Sequence, residues 1–243
     1  MSLPPIGDWE VDALRLIFFT QEPSRVEGAG YFRSLTGADP ESVLKKPHVA
    51  EYSEIGPCED NQLEIKGGFN RTELTLSAIP KPGPTAPSLG KLVDRIEPFV
   101  EKFGAWFSEA QISANRIALA VGVWRPTEGR VASNTLIHEL AHFAKFDPAA
   151  IRDVALQFNY ATSSSFLPSV ELNRMVRLLS LEAKMLEFSP SGTVSEHSQC
   201  MCRVELDFNT SEACAAEVLS SDASRFLPEF RDLILSDLAE GFK

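Results

Sequence analysis

His138, Glu139 and His142 have the spacing of a known zinc motif, in the run His138-Glu139-Leu140-Ala141-His142. On an α-helix, residues four apart share a face, so two imidazoles can bind one Zn²⁺ while the intervening glutamate activates the bound water. The residues flanking the motif are uncharged, which also suits a zinc peptidase. One hypothesis is therefore a zinc-dependent metallohydrolase or peptidase, with His138 and His142 as metal ligands and Glu139 as the catalytic residue.

The periodicity of the same segment argues against that hypothesis. If a helix spans 129–144, its apolar residues define one face and the two histidines lie on the opposite face, beside Lys145. Histidines on a polar stripe are usually solvated. The apolar face is formed by Leu136, Leu140, Phe143 and Ala144.

A catalytic zinc also needs a third protein ligand. Glu171, Glu182 and His197 follow in the chain, but none has a recognisable ligand context, and Glu182 falls in a predicted strand. The surroundings are rich in strands, unlike a peptidase body. We therefore expect no catalytic residue, no metal ligand and no cofactor, with zinc at His138 and His142 as the alternative.

The cysteines suggest weaker possibilities. His197, Cys200 and Cys202 could bind a soft metal, but the alternation of their segment favours Cys200 and Cys202 as core residues. Cys58 lies in a predicted loop beside the acidic residues Glu59 and Asp60, so an activated nucleophile is not expected. The sequence contains no G-x-S-x-G, no P-loop and no G-x-G-x-x-G.

Composition excludes several classes of function. The 243 residues have a net charge of −11, and 44% of them are hydrophobic, which predicts a sizeable core and no broad nucleic-acid surface. No stretch approaches the roughly 20 apolar residues of a membrane span, and the N-terminus does not resemble a signal peptide. Four cysteines are too few for a secreted disulfide scaffold, so we expect a cytoplasmic protein.

The first half of the chain predicts a strand, a short helix, a hairpin and a long helix. The proline-rich segment 80–88 reads as a connection, and Ser88 as the N-cap of a helix over 88–111. The remaining expectations are a strand at 9–20, a helix within 24–37, an irregular connection at 38–58, and hairpin strands at 62–66 and 72–79.

The second half repeats this order of elements. Ala118, Ala120 and Gly122 form the small face of its first strand, against which a helix could pack closely. The expected elements are a strand at 116–124, a helix at 129–144, strands at 154–160, 175–187 and 200–208, and a closing amphipathic helix at 221–240.

These patterns predict an α+β fold. Two similar halves, 1–112 and 113–243, are expected to form one compact unit with a curved antiparallel sheet and the long helices packed on one face.

Five segments together resemble a family of uncharacterised bacterial hypothetical proteins. The resemblance implies the order of the whole domain, and it implies a helix at His138 and His142 that does not bind metal. Asn159, Asn173, Arg174 and Asn209 match the polar positions of that pattern and are either strand-end hydrogen-bonding residues or ligand-binding residues. The segments are 9–16, 115–119, 153–160, 167–174 and 203–210.

The function that these observations favour is a non-enzymatic binding or assembly protein. It would act through a protein partner or as a homo-oligomer, such as a homodimer, without nucleic acid or membrane. The zinc hydrolase is the alternative.

Overall fold

The computed structural model describes residues 3–20, 26–80, 85–110, 112–188, 194–212 and 223–242. None of the helices in these ranges is long and apolar enough to cross a membrane.

Within the described ranges, the N-terminal part of the chain contributes six strands and two α-helices. They are β1 (Glu10–Phe19), α1 (Tyr31–Thr36), β2 (Ser42–Lys46), β3 (Glu51–Cys58), β4 (Asn61–Gly67), β5 (Arg71–Ser77), β6 (Gly90–Lys91) and α2 (Leu92–Glu109). The C-terminal part contributes β7 (Arg116–Thr127), α3 (Arg130–Leu140), β8 (Ala155–Ser163), β9 (Glu171–Phe188), β10 (Val194–Thr210) and α4 (Phe226–Glu240).

The strands form one open ten-stranded sheet in which every pairing is antiparallel. Its order is β2-β3-β4-β5-β1-β7-β10-β9-β8, with β6 also paired to β1. The α+β class with an antiparallel sheet is therefore confirmed. β1 and β7 lie at the centre. β2 and β8 are the two edge strands, and we call the edges that they form the margins of the sheet.

One hydrophobic core joins the helices to alternate residues of the strands. In β10, Cys202, Val204, Leu206 and Phe208 are buried, as the alternation predicts. A Cβ built on Gly104 of α2 would lie 3.5 Å from Leu227 of α4, so these two helices are in contact. We call the opposite side of the sheet the uncovered face. It carries the other set of alternating residues, among them Arg203, Glu205 and Asp207 of β10.

Two predictions about the N-terminal part are wrong. Residues 38–58 are not irregular, because they contain β2 and β3. Glycine is required at position 56 because of packing and not because of a turn: a Cβ there would lie 2.8 Å from the Phe32 ring. Ser88 is not a helix cap: its hydroxyl donates to Glu10 and accepts from the Gly90 N–H, and the helix begins only at Leu92, after β6.

The expected helix against the small face of β7 is also wrong. Ala118 and Ala120 belong to a separate small cluster with Ile17, on the side of the sheet away from the main core. No described helix residue belongs to that cluster. The small residues of β7 instead form the floor of the uncovered face.

Candidate functional site

The zinc motif does not lie on one continuous helix. α3 ends at Leu140 with Ala141 as its C-cap, so His142 lies beyond the helix and is exposed. His138 is half-buried, and its ring packs edge-on against Phe146 with centroids 5.1 Å apart. Both imidazoles were expected to be solvated. Only that of His142 is exposed, because the His138 ring is partly covered by Phe146.

The proposed third zinc ligands lie in strands. Glu171 and Glu182 are in β9, and Glu182 accepts a hydrogen bond from Ser198 of β10 at 2.6 Å. His197 is in β10. Within the described ranges, no group of three or more His, Cys, Asp or Glu residues is placed to hold an ion. The zinc alternative at His138, Glu139 and His142 remains a prediction.

The possible soft-metal set is split between the two faces of β10. The pairing of β10 with β9 is continuous from Val194 to Thr210, so odd and even residues lie on opposite sides. Cys200 and Cys202 therefore share one face, while His197 lies on the other. Burial raises the pKa of Cys202 to about 12, against a smaller effect from Arg125, as expected for a core thiol.

Cys58 lies at the end of β3 rather than in a loop, and its side chain is buried. The Lys102 ammonium is 3.7 Å from the Cys58 sulfur and 3.2 Å from the Glu59 carboxylate. Cys214 is outside the described residues.

Three of the four predicted polar positions meet on the uncovered face. The Asn159 amide donates to the Asn173 oxygen at 3.2 Å, and the Asn173 amide donates to the Asn209 oxygen at 3.2 Å. Asn209 is buried; it donates to Asp207 at 2.9 Å and accepts from Arg116 at 3.0 Å. These residues form a ladder of hydrogen bonds from the margin strand β8 to the central strand β7.

Arg174, the fourth position, lies on the opposite face. Its guanidinium pairs with Asp237 of α4 and lies over the rings of Tyr160 and Phe208. Burial raises the pKa of Asp237, and the Arg174 charge opposes that shift. The structure therefore separates Arg174 from the three asparagines.

A pocket of about 270 Å³ lies at the centre of the uncovered face. It is formed around Asp12, where the pairing of β1 with β7 shifts between Val11 and Ala13. Such a bulge redirects a side chain, and here the Asp12 carboxylate lies over Gly122. A Cβ at Gly122 would collide with that carboxylate, so only glycine leaves room for it.

The Asp12 carboxylate accepts a hydrogen bond from the Arg203 Nε at 2.8 Å. Arg203 also pairs with Glu205, whose other oxygen lies 3.4 Å from Arg177. Burial lowers the pKa of Arg203, but the carboxylates of Asp12 and Glu205 raise it by more. The guanidinium group of Arg203 therefore stays charged. The second Asp12 oxygen is buried and has no hydrogen-bond partner among the described residues.

Three arginines at the rim of the pocket remain accessible. Arg15 and Arg71 pair with Glu73 at 3.7 and 2.6 Å, and the side chains of Arg15, Arg71 and Arg177 are 45%, 47% and 50% exposed. Exposed pairs of this kind contribute little to stability. Their guanidinium groups can exchange these partners for carboxylates of another molecule.

The arrangement suits the binding of charged groups of both signs. The pocket is lined by four arginines and three carboxylates, together with small and apolar residues: Asp12, Arg15, Arg71, Arg177, Arg203, Glu205, Asp207, Ala13, Ala120, Gly122 and others. The sequence did show the alternating charges of β10 and the small residues of β7. It did not show that both lie on a face that the described helices leave uncovered.

No model of a known protein family matches the chain, and a search of curated proteins finds no significant relative. The resemblance to uncharacterised bacterial proteins therefore remains a prediction.

Proposed function

We propose that this chain is a non-enzymatic binding or assembly protein whose uncovered face binds a protein partner. The observation that carries the proposal is the pocket between Asp12, Gly122 and Arg203, with three half-exposed arginines at its rim. Arginine is enriched where proteins bind one another, because its planar group makes several directed hydrogen bonds.

The size of the pocket favours a protein partner over a small ligand. About 270 Å³ is slightly below the range of roughly 300–1,000 Å³ in which small molecules are usually enclosed. On the surrounding face, charged groups lie in rows along neighbouring strands, around a small apolar cluster of Ile17, Ala118 and Ala120. An extended partner segment with carboxylates could contact Arg15, Arg71 and Arg177 together.

The proposal includes two further features. Two similar halves are supported by the strand order, because β1 and β7, the first strands of 1–112 and 113–243, are adjacent at the centre of the sheet. In each half the long helix, α2 or α4, belongs to the one main core.

A cytoplasmic location is supported by the free thiols of Cys58, Cys200 and Cys202.

Site-specific photocrosslinking in the native host tests the proposal. A photoreactive residue at Thr75, which pairs with Arg15 on the uncovered face, should capture a protein partner. The same residue at the exposed Glu101 of α2 is the control on the helical side. Capture at Thr75 should be lost in an Arg15→Glu/Arg177→Glu variant and retained in Arg33→Glu, whose side chain is 68% exposed on α1.

Equal capture by all variants, or none at Thr75, would contradict the proposal. Elemental analysis separates it from the zinc alternative. Stoichiometric zinc that is lost in a His138→Ala/His142→Ala variant would favour the metallohydrolase instead.

A further inference from the structure

The margin formed by β8 presents unpaired backbone groups. β8 pairs with β9 over nine residues on one side and has no neighbouring strand on the other side among the described residues. The Ser180 N–H donates to the Val154 carbonyl, and the Ser164 N–H donates to the Val170 carbonyl. Because hydrogen-bonded positions alternate in an antiparallel pair, the even residues of β8 bond to β9. The odd residues, 155 to 163, direct their N–H and C=O groups away from the sheet, and no described residue bonds to them.

The two margins of the sheet differ in the features that normally prevent pairing. β2 is five residues long, contains Lys45 and Lys46, and is followed directly by Pro47. Short length, lysine and proline all discourage a further strand. β8 has nine residues with the sequence ALQFNYATS, which has no charge, no proline and no glycine. β8 is therefore open to a further strand.

We propose that β8 pairs with β8 of a second copy of this chain, antiparallel and with Asn159 at the two-fold axis. This inference rests on the assembly part of the proposed function and names its partner and surface. Asn159 is the central residue of β8, so only this register overlaps all nine residues. It also places odd residues opposite odd residues, where both copies have unpaired backbone groups.

The side chains of β8 are complementary to themselves in this register. On the uncovered face, Ala155 lies opposite Ser163, Gln157 opposite Ala161, and Asn159 opposite itself. No like charges meet, although each chain has a net charge of −11. The contact therefore adds no charge repulsion to that between the two acidic chains.

On the helical side, the register pairs Phe158 with Tyr160 of the second copy, twice. Aromatic pairs across neighbouring strands stabilise a sheet. Phe143 lies next to both residues, with ring centroids 5.0 and 6.5 Å away, and is 50% exposed. A second copy at this margin would cover part of that exposed ring.

The asparagine ladder ends at the same point. Asn159 donates to Asn173, and its own side-chain oxygen has no partner among the described residues. At the two-fold axis, this oxygen can accept a hydrogen bond from the amide of Asn159 in the second copy. The ladder of one chain would then continue into the other.

Sedimentation equilibrium of the full chain over roughly 0.1 to 100 µM tests the dimer. The expected result is a concentration-dependent rise from one chain of 26.8 kDa to two. Asn159→Lys places two ammonium groups opposite each other, so its dissociation constant should rise at least ~10-fold. Val43→Lys, at a 48% exposed position of β2, is the control and should leave the constant unchanged.

Charge pairing tests the register itself. A mixture of Asn159→Lys with Asn159→Glu should restore the dimer, because unlike charges then face each other. In oxidising buffer, Asn159→Cys should crosslink to itself, while Val43→Cys should not, since opposed strand residues lie within disulfide distance. Circular dichroism confirms that each variant is folded.

A wild-type chain that stays monomeric across the whole range would overturn the proposal. A dimer that Asn159→Lys leaves unchanged, or the absence of the Asn159→Cys crosslink, would overturn it as well. The Arg15→Glu/Arg177→Glu variant should still dimerise, so failure of the proposed partner on the uncovered face is distinguishable from failure here.

Discussion

The side chain of Asp12 shows how one residue determines the shape of the pocket. The bulge at Asp12 turns its carboxylate onto the uncovered face, and Gly122 of the neighbouring strand leaves the space that it fills. Arg203 holds it there at 2.8 Å. These three residues lie on three different strands, so their meeting depends on the pairing of β1, β7 and β10.

Substitution of Gly122 tests this contact. In Gly122→Ala the new methyl group collides with the Asp12 carboxylate, so the free energy of unfolding should fall by about 1–3 kcal/mol, as in other overpacked sites. Gly129→Ala is the matched control, because nothing lies within 4 Å of a Cβ there. Its stability should stay within about 0.5 kcal/mol of wild type. Urea denaturation measures both, and equal stability of the two variants would contradict the contact.

The three tyrosines should titrate late. Burial raises the pKa of Tyr31 and Tyr160. Burial also raises the pKa of Tyr52 and, together with the hydrogen bond to Glu54, brings it to about 12. Absorbance at about 295 nm should therefore show no phenolate with the ordinary midpoint near pH 10 in the native protein.

The effect on stability has a defined sign. A folded pKa above the unfolded value favours the protonated native state, so this contribution is present below about pH 10 and is lost as pH rises toward about 12. Unfolding in denaturant should return all three midpoints to about pH 10. A native phenolate that forms at that pH would contradict the result.

The sequence predicts single residues well where alternation is regular and poorly where it is interrupted. The buried residues of β10 could be assigned from their spacing alone. The bulge at Asp12 could not, because no residue type in β1 marks it. His142 was assigned to the helix for a similar reason: helical periodicity was extended past Leu140, where the helix ends.

At the scale of elements, the asparagine ladder connects four strands. Asn159 of β8, Asn173 of β9 and Asn209 of β10 bond in sequence, and Arg116 of β7 donates to Asn209. Asn173 and Asn209 each donate and accept a hydrogen bond, so the ladder aligns the strands across half of the sheet. Asn209 occupies the central position and is buried.

Asn209→Ala should therefore be costly. It leaves Arg116, Asn173 and Asp207 without their common partner, and loss of a buried hydrogen-bonding group costs about 1–3 kcal/mol. Asn159→Ala removes only the exposed end of the ladder and should cost less than about 1 kcal/mol. Thermal and urea unfolding of the two variants give the comparison. Equal losses would show that the ladder does not depend on Asn209.

Strand alternation was the most informative sequence signal for elements. It located most of the sheet strands and the β4–β5 hairpin, but it missed β2 and β3, where Pro40, Pro47, Gly56 and Pro57 dominated the interpretation. Proline is tolerated in β3 at Pro57, and Gly56 admits the Phe32 ring. The order of strands across the sheet required the structure, since alternation shows which residues share a face but not which strands are neighbours.

At the scale of the whole molecule, the N-terminal and C-terminal parts depend on one another. β1 and β7 pair over nine positions, and α2 and α4 meet through Arg231 and Glu97. Separate chains of 1–112 and 113–243 would each expose a central strand and an apolar helix face. We expect neither to fold alone, and the full chain to unfold in a single transition.

Urea unfolding followed by circular dichroism and by the fluorescence of Trp9, Trp106 and Trp124 tests this expectation. Both probes should give the same midpoint. Co-expression of the two fragments should recover soluble protein, because the β1–β7 pairing can form between chains. Two separate transitions, or a soluble folded 1–112, would contradict the single unit.

The difference between the two margins of the sheet limits how many copies can associate. If both margins accepted strands, chains could add to one another indefinitely and form a fibre. Here β2 is protected by its lysines, and symmetric pairing at β8 occupies the receptive margin of both copies at once. Growth is then complete at two chains, and light scattering at high concentration should reach a plateau instead of continuing to rise.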